Sequence, residues 1–235
     1  MRFIAPGKSQ FKVNHSEEIM SIATLVLGNS GSGKSTSLRN LPPEKTLLIQ
    51  CIKKPLPFRA TGWKTRVTIK SDGNVIPADD PVMIEKLMRA SPHDIVVIDD
   101  YQAVMVNELM NRSSEKGYDK FTDIGRHAWN IFRAAGDLAE HRRVYILAHT
   151  NTDEFGNVRM KTVGKMVDQV LVPEGFFTIV LRTEVTNGVY QFRTQTNGQD
   201  CVKSPIDMFP ELSIANDLAV VDQHICDFYQ ITQPA

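Results

Sequence analysis

Ile22-Ala23-Thr24-Leu25-Val26-Leu27-Gly28-Asn29-Ser30-Gly31-Ser32-Gly33-Lys34-Ser35-Thr36 is an apolar run that opens into a glycine-rich turn. The run Ile22–Leu27 is too short and too β-branched for a helix and predicts a strand. From Gly28 to Ser35 the chain follows the pattern G-x-x-x-x-G-K-[ST]. Glycines let the main chain wrap closely around an anion and aim successive N–H groups at phosphate oxygens. A helix over Lys34–Asn40, stopped by Pro42-Pro43, would turn its positive end toward the same anion. A strand before the turn and a helix after it are the context in which this pattern binds a nucleoside triphosphate. Lys34 is then expected at the β- and γ-phosphates and the Ser35 hydroxyl on Mg²⁺. Gly28, Asn29, Ser30, Gly31, Ser32, Gly33 and Thr36 complete the expected phosphate contacts, with ATP and Mg²⁺ as the cofactors.

Two further strand ends join this turn. Ile95-Val96-Val97-Ile98-Asp99-Asp100 is an apolar strand closing on two carboxylates. Asp99 is placed to hold Mg²⁺, directly or through water, and Asp100 to polarise an attacking water. Val144-Tyr145-Ile146-Leu147-Ala148-His149-Thr150 ends in polar residues. His149 and Thr150 would there sense the γ-phosphate, unless they are simply solvated. Glu44 and Glu108 are further candidates for activating water, and both read equally as solvent-facing.

The rest of the chain alternates strands and helices. Strands are expected at Thr46–Ile52, Arg66–Ile69, Ile95–Asp99, Val144–Ala148, Phe176–Arg182 and Val189–Thr194. Helices are expected at Pro81–Ala90, after Thr122 as a cap, with Ile124, Ala128, Ile131, Ala135 and Leu138 at helical spacing, and over Asn216–Tyr229. Asn187-Gly188 signals a hairpin between Thr178–Glu184 and Val189–Thr194. The early strands are nearly continuous apolar runs, which suits a parallel sheet covered on both faces. The expected fold class is α/β: a mostly parallel sheet flanked by helices, with a C-terminal β-hairpin and a final helix, as one domain over residues 1–235.

With 27 basic and 27 acidic residues the chain has no net charge, so contact with nucleic acid would need a local patch. One candidate holds Lys53, Lys54, Arg59, Lys64, Arg66 and Lys70 with Phe58 and Trp63 interleaved. Basic groups can track a phosphate backbone while aromatic rings stack on bases. The same stretch also reads as a basic surface loop whose aromatics fold back onto the core. A second candidate is the loop Asn151–Lys165, with Arg159, Lys161 and Lys165 opposed by Asp153 and Glu154. Cys51, Cys201 and Cys226 form no CxxC pair and read as reduced thiols in a cytoplasm. The N-terminus lacks the apolar run of a signal peptide. No segment approaches the roughly 20 apolar residues of a membrane span, so no membrane contact is expected.

The glycine-rich turn, the segment Leu48-Ile49-Gln50-Cys51-Ile52-Lys53-Lys54-Pro55-Leu56-Pro57-Phe58 and the end Ile98-Asp99-Asp100 together resemble phage-encoded RecA-like P-loop ATPases. Ala148-His149-Thr150, Asp153-Glu154-Phe155-Gly156-Asn157, Gly164-Lys165, Val202-Lys203-Ser204-Pro205 and Asn216-Asp217-Leu218 extend the resemblance over about residues 20–230. Such proteins include single-strand annealing ATPases related to recombinases. The resemblance implies a RecA-like core without extra domains, located in a host bacterial cytoplasm. It implies Mg²⁺ on Ser35 and Asp99, and Asn151–Lys165 on DNA. It implies single-stranded DNA and a single-stranded-DNA-binding protein as partners in recombination. Nucleotide would lie between subunits of a ring or filament, with Lys203 reaching a neighbour's nucleotide. Gln50-Cys51 stands where recombinases place a catalytic glutamate, which shifts the expected catalytic group to Asp100. An ATP-gated binding module with negligible hydrolysis stays open as an alternative. So does a remodelling ATPase of helicase-loader type, with Arg126, Arg142 or Arg143 as its finger.

Overall fold

The structure, a computed structural model, describes residues 20–66 and 72–231, with the backbone alone at 165 and 166. β1 (Ile22–Gly28) runs into the glycine-rich turn. The turn leads into a 3₁₀ helix, Ser35–Asn40, rather than the expected α-helix over Lys34–Asn40. Its first turn shares the Ser37 amide between Gly33 O (3.0 Å) and Lys34 O (3.2 Å). Pro42 and Pro43 lack amide hydrogens and close the segment before an α-helical ladder can grow.

The chain continues through β2 (Thr46–Gln50), β3 (Val75–Pro77), α1 (Pro81–Ala90), β4 (Ile95–Asp99), α2 (Gln102–Asn111) and α3 (Asp119–Gly136). Then come β5 (Arg143–Thr152), β6 (Val158–Met160), α4 (Gly164–Val170), β7 (Ile179–Thr186), β8 (Val189–Arg193), β9 (Ser213–Ala215) and α5 (Leu218–Tyr229). Among the described residues the strands form one nine-stranded mixed sheet in the order β3-β2-β4-β5-β1-β7-β8-β9, with β6 pairing β5. All pairings from β3 to β7 along that order are parallel, whereas β8, β9 and β6 join antiparallel. The fold is α/β, a mostly parallel sheet flanked by helices.

Alternation along each strand explains the continuous apolar runs. Leu25 and Leu27 of β1, with Val96 and Ile98 of β4, pack against Ile84, Met88, Ile124, Ala128 and Ile131 of α1 and α3. Val26, Ile95 and Val97 point the other way, onto Leu38, Leu41 and the α5 residues Leu218, Val221 and Ile225. Neither face meets water, so neither face alternates with polar residues. Asn187 (φ 54°) and Gly188 (φ 77°) both take the left-handed conformation that a two-residue hairpin needs, and they join β7 to β8 as expected.

Several expected boundaries move. α3 begins at Asp119 after Tyr118, so Thr122 lies inside its first turns and caps nothing. The acidic side chain of Asp119 supplies the favourable first-turn charge instead. β2 ends at Gln50: Cys51 N makes the last bond to β4, to Asp99 O (3.1 Å), and Ile52 is half exposed. Phe176 sits in a 3₁₀ turn, Pro173–Phe176, so β7 starts only at Ile179. Beyond Arg66, the strand expected at Arg66–Ile69 lies outside the described residues, as does Lys70. All three cysteines are free thiols. Among the described residues no helix is long and apolar enough to cross a membrane.

Candidate phosphate-binding site

Parallel register decides where the chemistry gathers. Gly28 stands opposite His149 and Gln50 opposite Asp99, so β1, β2, β4 and β5 end along one edge of the sheet. There Ser30, Gly31 and residues 33–36 of the glycine-rich turn border a cavity of about 860 Å³ together with Asp100, His149 and Lys54.

The turn is built around its glycines. A β-carbon on Gly28 would lie 1.8 Å from Thr183 Oγ1, so β7 closes against the loop only because that carbon is missing. Gly33 (φ 96°) needs the left-handed region and also abuts the Tyr190 ring. Ser32 Oγ donates to Asn29 O (2.6 Å) and stands 2.6 Å from Thr183 Oγ1. Thr150 Oγ1 donates to Asn29 Oδ1 (2.6 Å), which ties the end of β5 to the loop.

Lys34 is nearly buried, and its Nζ donates to Gly28 O (2.8 Å) and Asn29 O (2.9 Å). Burial pushes its pKa down to about 8, while Asp99 and Asp100 pull it upward and Lys54 lowers it further. An ammonium held this way gains a great deal from an arriving anion.

Ser35 Oγ donates to Asp99 Oδ1 (3.0 Å), so the two expected metal ligands are already in contact. The second oxygen, Asp99 Oδ2, is buried with no hydrogen-bond partner among the described residues. Burial, and then the neighbouring Asp100, push the Asp99 pKa up to about 6. A buried oxygen with no donor, beside a hydroxyl, fits a hard divalent cation that takes its remaining oxygens from phosphate and water. Ser35 and Asp99 would hold Mg²⁺, which when bound neutralises phosphate charge.

Asp100 has a left-handed backbone (φ 56°) and is buried. The turn aims its carboxylate into the cavity, where Oδ2 forms an ion pair with Lys54 Nζ and Oδ1 lies 4.0 Å from His149 Nε2. Burial first, and then the positive charge of Lys34, hold His149 below the usual histidine range. Asp100, His149 and the expected phosphate and metal residues other than Gly28, Asn29 and Ser32 therefore meet this cavity or its metal corner. Those three shape the back of the loop and face a second hollow beside β7.

Other candidates lie elsewhere. Glu44 is exposed, and Glu108 holds His127 (2.9 Å) and Arg112 (3.1 Å) on the helices. Arg142 and Arg143 are buried at the opposite end of the strands, with Arg143 paired to Asp222. Arg126 is exposed on α3, paired with Asp123. Lys203 is exposed and makes backbone bonds to Val180. Trp63 is buried against Phe58, so the aromatics of the basic segment serve the core. Sequence reasoning missed Arg39, Tyr190 and Asn216, which line the far side of the cavity. Asn216 is nearly buried and its Nδ2 has no hydrogen-bond partner among the described residues. Only the pairing of the distant β8–β9 ribbon, Gln191 opposite Ala215, brings Tyr190 and Asn216 here.

A scan against protein-family models gives no match to this chain, and neither does a search of curated proteins.

Proposed function

We propose that this chain is a magnesium-dependent ATPase with a RecA-like P-loop core, acting on single-stranded DNA in phage recombination by annealing or strand pairing. One observation carries the nucleotide part: the Ser35–Asp99 contact, beside a buried Lys34 and under a glycine loop. Lys34 binds phosphate, Ser35 and Asp99 hold the metal, and Asp100 takes the proton of the attacking water. The RecA-like reading is supported by β5, which intervenes between the loop strand β1 and the carboxylate strand β4 and brings His149 to the cavity. On the far side, the exposed Tyr190 ring offers a face to the base.

The DNA part is supported by the segment after Thr150. It is a β5–β6 hairpin, not a plain loop, in which Asp153 Oδ1 accepts from Phe155 N (2.9 Å) and Asn157 N (2.8 Å). Phe155 at its tip is 78% exposed, with Arg159 and Lys161 exposed behind it. An exposed ring flanked by cations suits a stacked base and its phosphate. The hairpin grows from the strand that touches Asn29, so nucleotide at the loop would bias its pose.

Single-stranded DNA at low salt should raise Mg²⁺-ATP turnover severalfold, measured as phosphate release. Unchanged turnover across a range of DNA concentrations would remove DNA from the reading. The ion pair of Asp100 with Lys54 favours the binding-module alternative, in which hydrolysis is negligible. Many turnovers per minute with Mg²⁺ and ATP alone would exclude that alternative.

Acid should interfere through Asp99. Its raised pKa means that a proton competes with the metal below about pH 6, whereas above it the carboxylate is free to bind. Asp100, Ser35, Lys54 and Lys34 are the groups that face it. The Mg²⁺ concentration needed for half-maximal ATP binding should rise about tenfold for each pH unit below that point. A flat Mg²⁺ requirement from pH 7.5 to 5 would show that Asp99 is not a ligand.

A further inference from the structure

We infer that Lys54 is the group that reads the terminal phosphate, trading its ion pair with Asp100 for an oxygen that only a triphosphate supplies. The inference rests on the proposed nucleotide site. It concerns a residue of the basic segment that the sequence points toward nucleic acid.

Lys54 turns inward. Its Nζ pairs with Asp100 Oδ2, and it borders the cavity together with Pro55 and Pro57. The backbone holds it there: Gln50 Nε2 donates to Lys54 O (3.1 Å), and Cys51 N to Asp99 O (3.1 Å). Two prolines restrict the next segment. Lys54 is thus fastened to the end of β2, whose next residue bonds the strand that carries Asp99.

Charge decides what happens when the cavity fills. Lys34 and Lys54 balance Asp99 and Asp100. A magnesium triphosphate brings about two further negative charges, about one more than a magnesium diphosphate does. Lys34 can serve the bridging β/γ region from the loop, which leaves Lys54 as the nearest mobile cation on the Asp100 side. A terminal phosphate oxygen offers Lys54 a charge-assisted partner of the same kind as the Asp100 carboxylate. Moving Lys54 onto phosphate leaves the Asp100 carboxylate free to accept a proton from water. A diphosphate has no group there, so the ion pair persists and the carboxylate stays occupied. The same contact then sets triphosphate selectivity and withholds the base until substrate is present.

The test compares Mg²⁺-ATP and Mg²⁺-ADP binding by calorimetry on the full chain, for wild type, Lys54→Ala, Lys54→Arg and Lys34→Ala. Lys54→Ala should weaken ATP about tenfold to a hundredfold, the range for a charged hydrogen bond. ADP affinity should stay within about twofold of wild type, and Lys54→Arg should recover most of the loss for ATP. Lys54 is 40% exposed, so the variants should fold, and circular dichroism checks this. If Lys54→Ala weakens ATP and ADP alike, or neither, while Lys34→Ala weakens both, the inference is overturned and the site stands. If wild type binds neither nucleotide, the site itself is overturned and the inference with it.

Discussion

Lys34→Ala should lower ATP turnover by about 10²–10³-fold, the range for one preorganised electrostatic donor. It should also remove the thermal stabilisation expected from ATP in the wild type, yet leave the nucleotide-free chain no less stable. The last outcome is the informative one. Lys34 is nearly buried, and its pKa of about 8 means the fold binds its proton less tightly than the unfolded chain does. That cost is fully present below pH 8 and fades as pH rises toward the ordinary lysine value. Two carbonyl contacts, at Gly28 and Asn29, offset it only in part. Alanine removes the cost, and the small space it leaves opens onto the cavity. A site that holds a cation at a loss suits an incoming anion. At a nucleotide concentration a hundred times the dissociation constant, binding contributes about 2.7 kcal/mol of stability, which thermal melting reads directly. If Lys34→Ala destabilises the nucleotide-free chain by several degrees and still shifts with ATP, the lysine is a structural group and the phosphate reading fails.

Legibility in the sequence tracks the physics of each signal. The glycine turn, the Asp99-Asp100 strand end and the Asn187-Gly188 hairpin depend on local chemistry, so adjacent residues suffice to announce them. Gly28, Lys34, Ser35, Asp99, Asp100 and His149 are readable because parallel strands place their ends on one edge, and each lies just beyond an apolar run. Tyr190 and Asn216 are not, because only the antiparallel β8–β9 ribbon carries them to the loop. Neither carries a local mark of a ligand site. Lys54 is visible as a charge but points the wrong way in a reading that counts charges along the chain. Its direction is set by Asp100, whose left-handed backbone no sequence pattern declares.

Short elements escape for a different reason. β3, β6 and β9 have three residues each, below the length at which periodicity can be seen. Their pairing comes from the strand beside them. α2 is hidden because Gln102 and Ala103 begin it without a capping side chain. Arg142 and Arg143 suggest fingers in the sequence because arginine is seldom buried. In the fold they mark the far end of β5, away from the cavity. No local pattern shows that a carboxylate from the last helix, some eighty residues later, meets one of them.

That meeting supports the second large effect: Asp222→Ala lowers folding stability by about 3–5 kcal/mol. Arg143 is 1% exposed, with Nε 3.0 Å and Nη2 2.9 Å from the two oxygens of Asp222. Tyr145, fully buried, donates its hydroxyl to the same carboxylate (2.6 Å). Burial alone would lower the Arg143 pKa, but the hydrogen bonds it donates to Asp222 outweigh it. Alanine strands a guanidinium and a hydroxyl in a dry place, and among the described residues only His141 O (2.6 Å) still accepts from the Arg143 guanidinium. Since the pair itself is costly to desolvate, replacing all three groups should recover most of the loss. The variant Arg143→Met, Tyr145→Phe, Asp222→Leu should therefore denature in urea close to wild type. Asp222→Ala alone should unfold at much lower denaturant, with the slope unchanged. Because the cluster sits at the end of the strands opposite the glycine loop, the molecules that remain folded should bind ATP with wild-type affinity. Equal stability of Asp222→Ala and wild type would mean that Arg143 reaches water in solution. Weakened ATP binding in the folded fraction would mean that α5, through Leu218 and Leu38, transmits strain to the loop.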